Sequence, residues 1–329
     1  MITTVLAGDD PVAIARAAEI LRAGGLVAFP TETVYGLGAD ALSATAVAGI
    51  FAAKERPADN PLIVHVADVA AARRLVRSFP ALAERAAAAM WPGPLTLVLP
   101  RGDSVPDVIT AGQDTVAIRV PAHPVALALL RACACPLAAP SANRSGRPSP
   151  TRAEHVLADL DGRVAVILDG GPTLHGLESS VLDLTGPRPL LLRRGAATLE
   201  QLRELLGPVD TLDTLDGADA AALRRSPGLR HRHYAPRARV ELVAEGEGEA
   251  AAERALAAGE RVALVCRRDA RTAALLLRLP GELAAFGHEL FAGLRALDAA
   301  GVERIVVEAV PEHGIGAAIM DRLRRAAAG

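Results

Sequence analysis

The chain is predicted to be an α/β protein of two domains. Three observations carry this reading. With 329 residues it is long enough for two ordinary hydrophobic cores. Roughly the first two hundred residues alternate short apolar runs with helical patterns at mixed spacing, which points to a mixed sheet. The last stretch, about ninety residues, repeats strand and helix regularly, as a small Rossmann-like parallel sheet does.

Taken in order, the apolar runs Leu26–Phe29, Leu62–Val66, Leu95–Leu99, Val116–Val120, Val164–Leu168, Ser180–Leu184 and Leu190–Leu192 read as strands. Helices are expected to start near Ser43, Val69, Ala81, Pro124 and Arg152. A last one opens at Thr198, where T-L-E-Q fits a capping box. Gly207–Arg239 breaks the pattern with Pro208, an Asp/Thr segment and S-P-G-L-R-H-R-H-Y-A-P, and reads as a linker without an element of its own. Beyond it, Val240–Val243, Glu249–Ala258, Arg261–Cys266, Ala270–Leu277, Glu289–Ala299 and Ile305–Ala309 form the repeat, closed by a helix from Ile315. The expected division is residues 1–206, a linker at 207–238, and residues 239–329.

Hydrophobic residues make up 51 % and charged residues 22 %, an ordinary globular balance. The net charge of −2 and 2 % aromatics argue against a protein built mainly to coat nucleic acid. No apolar run reaches the roughly 18 uncharged residues of a membrane helix. Met1–Pro11 does not read as a secretory signal. Three cysteines, Cys133, Cys135 and Cys266, fit reduced thiols in a cytoplasm, and the C-x-C pair lacks a second pair at zinc-site spacing.

The 36 basic residues include one lysine, Lys54. Asparagine occurs only as Asn60 and Asn143, and tyrosine only as Tyr35 and Tyr234. Where the composition so favours arginine, a surviving lysine marks a place arginine cannot serve, because the two differ in shape, hydration and pKa.

No P-loop, dinucleotide fingerprint, nucleophile elbow or H-E-x-x-H is present. Polar loops at strand ends stand in their place, where open α/β sheets bind ligands. Pro30–Gly38, P-T-E-T-V-Y-G-L-G, offers hydroxyls and glycines, and reads equally as a plain strand-to-helix turn. Lys54–Leu62 carries Lys54, Arg56 and Asn60; the cations could neutralise a polyphosphate or merely cap a helix. His65 lies in an apolar strand, where a core histidine is the commoner case. Arg119 lies in T-V-A-I-R-V-P-A-H-P, and a buried arginine needs an anion, internal or from a substrate. Ala138–Thr151 is dense in hydroxyls, an amide and two arginines, suited to phosphate and ribose or to solvent. Asp169–Val181 and Leu192–Gly195 complete the set, while Trp91–Thr96 reads as a structural turn.

Together, P-T-E-T-V-Y-G-L-G, K-x-R-P…N-P-L, W-P-G-P-L-T, R-V-P-x-H-P, S-A-N-x-S-G-x-P-S-P-T and D-G-G…G-x-E-S-S-V resemble, in order, the YrdC-like domain of threonylcarbamoyl-AMP synthases. The linker motif and the ending H-G-I-G-A-A-I-M-D-R-L-R-R-A-A resemble that family's long, two-domain form. The resemblance implies a YrdC-like α/β domain with a twisted mixed sheet, then a Rossmann-like domain. It implies that L-threonine, bicarbonate and ATP, with Mg2+, give threonylcarbamoyl-adenylate, pyrophosphate and water. The product supplies a modification of tRNAs reading ANN codons through a tRNA threonylcarbamoyl transferase complex, with at most a weak tRNA contact and no membrane.

Carried over residue by residue, the resemblance places Lys54, Arg56, Ser141 and Asn143 in a central catalytic cluster. Thr33, His65, Arg119 and Ser179 surround threonine, with Arg119 on its carboxylate. Lys54, Arg56, Asn60, Thr115, Ala139, Ser141, Asn143, Ser149 and Arg193 contact ATP, with Tyr234 of H-Y-A-P as a lid. No protein side chain is expected to hold the metal. Ser180, Arg194 and His231 depart from the family's usual Thr, Pro and aromatic residue. Two rival readings are an RNA-binding or regulatory module without turnover, and carbamoyl transfer in hydrogenase maturation, whose chains are longer and carry paired C-x-x-C motifs.

Overall fold

A computed structural model describes residues 2–214, 224–226 and 234–328. It comprises two compact units, one of Met1–Ser145, Pro150–Leu174 and Glu178–Arg230, the other of Gly146–Ser149, His175–Leu177 and His231–Gly329.

The first unit opens with β1 (Thr4–Ala7), α1 (Pro11–Arg22), β2 (Val27–Phe29), β3 (Gly36–Asp40), α2 (Ala44–Lys54), β4 (Ile63–His65), α3 (Val69–Arg73), α4 (Ala81–Met90) and β5 (Leu95–Pro100). It continues with α5 (Asp107–Thr110), β6 (Thr115–Arg119), α6 (Pro124–Cys133), β7 (Leu137–Ala138), α7 (Ala153–Leu160), β8 (Val166–Asp169), β9 (Ser180–Asp183), β10 (Leu190–Arg193), α8 (Leu199–Leu206) and β11 (Asp210–Thr211). Among the described residues the strands form one mixed sheet in the order β1-β8-β2-β3-β7-β4-β6-β5-β9-β10-β11.

Strand alternation builds a three-layer core. Val27 and Phe29 of β2, with Val166 and Leu168 of β8, pack with the buried faces of α1 and α6. Ala28 and Ile167, one residue out of phase, join the opposite cluster with α2, α4, α7 and α8. The caps are local: Ser43 accepts from Ala46 N (3.2 Å), and Thr198 and Gln201 form the expected capping box on α8.

Three expectations need correction. Pro30–Gly38 is no strand-to-helix turn, because Gly36–Asp40 returns as a strand antiparallel to β2. The crossing is tight: a Cβ on Gly38 would lie 2.8 Å from Phe29 Cε1. The segment after Gly207 is not all linker. Asp210–Thr211 pairs parallel with Leu190–Leu191, completing a β-α-β unit around α8, and a short 3-10 turn follows at Leu212–Thr214. Two residues are too short a strand for an apolar pattern to register.

The second unit holds β12 (Arg239–Val243), α9 (Gly248–Ala257), β13 (Val262–Cys266), β14 (Leu275–Arg278), α10 (Leu283–Ala299), β15 (Arg304–Glu308) and α11 (Ile315–Ala327). Its sheet is parallel throughout, ordered β12-β15-β13-β14. Val262, Leu264 and Cys266 of β13 face α9, while Ala263 and Val265 face α10 and α11. The third correction lies here. A strand occupies the end of Ala270–Leu277, breaking the regular alternation, and α10 begins at Leu283 and not Glu289.

Candidate active site

Lys54 is the last residue of α2, which ends where Glu55 adopts a left-handed backbone (φ 54°). The lysine is 1 % exposed, and its Nζ donates to the carbonyls of Ser141 and Asn143. Ser145 N donates to the Lys54 carbonyl at 2.9 Å, so the loop after β7 wraps around the lysine. These two acceptors are neutral dipoles that orient the ammonium. Ser141 Oγ donates to Asn143 Oδ1, and Asn143 Nδ2 to the Arg144 carbonyl (2.8 Å). Arg56 Nη2 donates to the carbonyls of Pro61 (3.1 Å) and Asn60 (3.4 Å). Asn60 is itself buried.

A second cluster forms around Arg119, at the end of β6 and in register with His65 on β4. Arg119 Nη1 donates to Thr33 Oγ1 (2.9 Å) and Nε to the Gly93 carbonyl (3.1 Å). Nη2 lies 2.6 Å from Glu32 Oε1, an ion pair whose side chains are 4 % and 5 % exposed. The internal anion that a buried arginine demands is therefore Glu32. Its other oxygen accepts from Ala122 N at 3.0 Å. Thr31 Oγ1 shares a hydrogen bond with Thr33 Oγ1 (2.8 Å), locking the loop from within. Burial pushes the Glu32 carboxyl up, but Arg119 more than offsets it and the net shift is downward. Burial, then the Arg119 charge, lower His65 to about 3, so its imidazole is neutral near pH 7.

One loop joins the clusters. Gly36 bridges to Ser141, the Tyr35 carbonyl accepts from Ala142 N (2.8 Å), and Tyr35 N donates to the Pro150 carbonyl (2.9 Å). The buried phenol of Tyr35 donates to the Gly171 carbonyl (2.7 Å), tying in the loop after β8. Ser179 Oγ lies 2.8 Å from Thr96 Oγ1, and Arg193 Nε and Nη2 donate to the Ser179 carbonyl (3.1 and 3.0 Å).

Thus Lys54 meets Ser141 and Asn143, Arg56 meets Asn60, Arg119 meets Thr33 beside His65, and Ser179 meets Arg193. Ala139 N donates to the Ile63 carbonyl (2.9 Å) between them. Thr115 starts β6, about 13 Å along the strand from Arg119, and is not in that cluster. Ser149 and Tyr234 belong to the second unit. There Tyr234 is 4 % exposed, its ring stacked on Phe291 (5.4 Å between centroids) and covered by Arg322 (5.1 Å). Of the departures, Ser180 Oγ donates to the Ala197 carbonyl and Arg194 pairs at the surface with Asp213 (2.8 Å). His231 lies outside the described residues.

Sequence reasoning missed Glu32, Gly93 and Thr96. Glu32 had a usable signal: it is a carboxylate in the same polar loop as Thr33, and Arg119 required an anion. Gly93 contributes only a carbonyl, which residue identity does not reveal. Among the described residues no group of three or more His, Cys, Asp or Glu could hold a metal ion. The Lys54 cluster offers cations and neutral dipoles, so these side chains do not fit a metal cage.

The family described as Telomere recombination matches residues 19–195, and the family described as Threonylcarbamoyl-AMP synthase, C-terminal domain, matches residues 197–328. The threonylcarbamoyl-AMP synthase of Pyrococcus abyssi is 45 % identical, over 94 % of this chain and 92 % of its own length. The chain belongs to the threonylcarbamoyl-AMP synthase family. The synthase of Bacillus subtilis is 44 % identical over 100 % of this chain and 96 % of its own. A crystal structure of P. abyssi Sua5 complexed with L-threonine superposes with a TM-score of 0.91 at 43 % identity, covering 99 % of this chain and 97 % of that one. The P. abyssi and B. subtilis synthases thus match both units of the chain.

Proposed function

We propose that the chain is a nucleotidyltransferase that converts L-threonine, bicarbonate and ATP to threonylcarbamoyl-adenylate, pyrophosphate and water. The observation that carries this reading is 45 % identity to a threonylcarbamoyl-AMP synthase across 94 % of the chain. The site supports it chemically. The threonine amine is carboxylated, the carbamate oxygen attacks the α-phosphorus, and the bond to the pyrophosphate oxygen breaks. No enzyme nucleophile is needed, so the work is positioning and charge neutralisation.

Lys54, oriented by two carbonyls, supplies a fixed positive charge for phosphate oxygens, with Arg56, Ser141 and Asn143 beside it. Arg119 orients the amino acid together with Thr33 and neutral His65. Mg2+ enters with ATP as part of that substrate, since the chain offers it no carboxylate cage among the described residues. The product passes to a tRNA threonylcarbamoyl transferase in the cytoplasm. Among the described residues no helix is long and apolar enough to cross a membrane.

Pyrophosphate release from ATP, with threonine and bicarbonate omitted in turn, tests this. Release that needs both is the expected result. Release indifferent to threonine would overturn the substrate assignment.

A further inference from the structure

The Glu32–Arg119 pair is close but incomplete. At 2.6 Å it is a strong ion pair. Apart from this contact with each other, neither Glu32 Oε1 nor Arg119 Nη2 has a hydrogen-bond partner among the described residues, and both atoms are buried. A buried charged group with unmet hydrogen-bonding capacity is costly and calls for an explanation. Both groups are held from behind: Glu32 by Ala122 N, Arg119 by Thr33 and the Gly93 carbonyl. A carboxylate acceptor and a guanidinium donor are thus fixed side by side on the segments that carry the threonine candidates.

We propose that Glu32 and Arg119 form one receptor for an amino-acid zwitterion, Arg119 taking the α-carboxylate and Glu32 the α-ammonium. This rests on the synthase reading above and adds Glu32 as the residue that selects an α-amino acid over other acids. The ammonium and carboxylate of an α-amino acid are separated by two bonds through Cα, a span of about 2.5–3 Å, comparable to that of the pair. Laid alongside the pair, a zwitterion meets the remaining hydrogen-bonding capacity of both atoms.

Charge balance points the same way. The buried pair is neutral, and neutral His65 adds no positive charge. A zwitterion leaves the site neutral. An α-hydroxy acid would bring an unbalanced negative charge into a site of low dielectric, and an amino-acid amide an unbalanced positive one. The receptor therefore rejects both, and Arg119 alone would reject only the amide.

The test uses calorimetric titration of the full chain with L-threonine, with 2,3-dihydroxybutanoate (hydroxyl in place of the amine) and with threonine amide. Both analogues should bind about 30-fold or more weakly than threonine, the loss expected for a charged hydrogen bond. In Glu32→Gln, threonine should weaken by a similar factor, while ATP affinity holds and dihydroxybutanoate affinity rises. A merely structural Glu32 would shift all three together. Dihydroxybutanoate binding as well as threonine to the wild-type chain overturns the proposal, and this comparison needs no variant to fold. A chain that binds ATP but no threonine overturns the substrate reading, and the receptor with it.

Discussion

Two buried carboxylates, one in each unit, are held differently. In the second, Glu308 is 5 % exposed and its Oε1 accepts from Gly246 N (3.1 Å), Gly248 N (3.0 Å) and Arg268 Nη2 (3.1 Å). In the first, Glu32 Oε1 meets Arg119 Nη2 at 2.6 Å and neither atom has another hydrogen-bond partner among the described residues, while Nδ1 of neutral His65 has none. A carboxylate that accepts several hydrogen bonds braces the fold, whereas one with capacity to spare can also serve a ligand.

That contrast can be broken by experiment. The largest effect is expected at Lys54. Lys54→Arg keeps the charge but not the compact ammonium that reaches two carbonyls, and should lower turnover by about 10³-fold with the fold retained, as read by pyrophosphate release and circular dichroism. Full activity would show that any cation serves there. Next, Glu308→Ala should cost about 2–4 kcal/mol in denaturant unfolding, since a buried amide, a partly buried one and an arginine lose their acceptor. Loss of threonine binding in the folded variant would place Glu308 in the site and erase the contrast.

His65 gives a smaller effect with a definite sign. Folding holds its pKa near about 3, against 6.5 ordinarily, so below 6.5 the unfolded chain takes up a proton that the folded chain refuses. Stability therefore falls with acid, by about 2 kcal/mol between pH 6.5 and 5 from this group alone. Glu32, with its carboxyl held below 4.5, loses its contribution only at more acid pH. In His65→Gln the slope of unfolding free energy above pH 5 should shrink; an unchanged slope would mean that His65 is protonated in the fold. The smallest effect is expected at the exposed pair of Arg261 and Glu303, 3.6 Å apart, where Arg261→Ala should change stability by less than about 0.5 kcal/mol.

Legibility followed the kind of signal. Ser43 and Thr198 announce their helices because capping is a side-chain property, and both appear where expected. Strand β3 was hidden because G-L-G-A-D carries no apolar alternation; its pairing with β2 and β7 is a tertiary fact. Rarity singled out Lys54, yet its two carbonyl partners lie 87 and 89 residues away and could not be named. Arg119 called for an anion without saying which, and only the fold brings Glu32 to it.

The way Lys54 is held also bears on inheritance. The carbonyls of Ser141 and Asn143 that accept from it are main-chain oxygens, which no single codon substitution deletes. A substitution at Ser141 or Asn143 would remove what those side chains do in the cluster, while the ammonium keeps its address as long as the loop keeps its path. The most exacting charge in the site is thereby entrusted to the part of the chain that all sequences share.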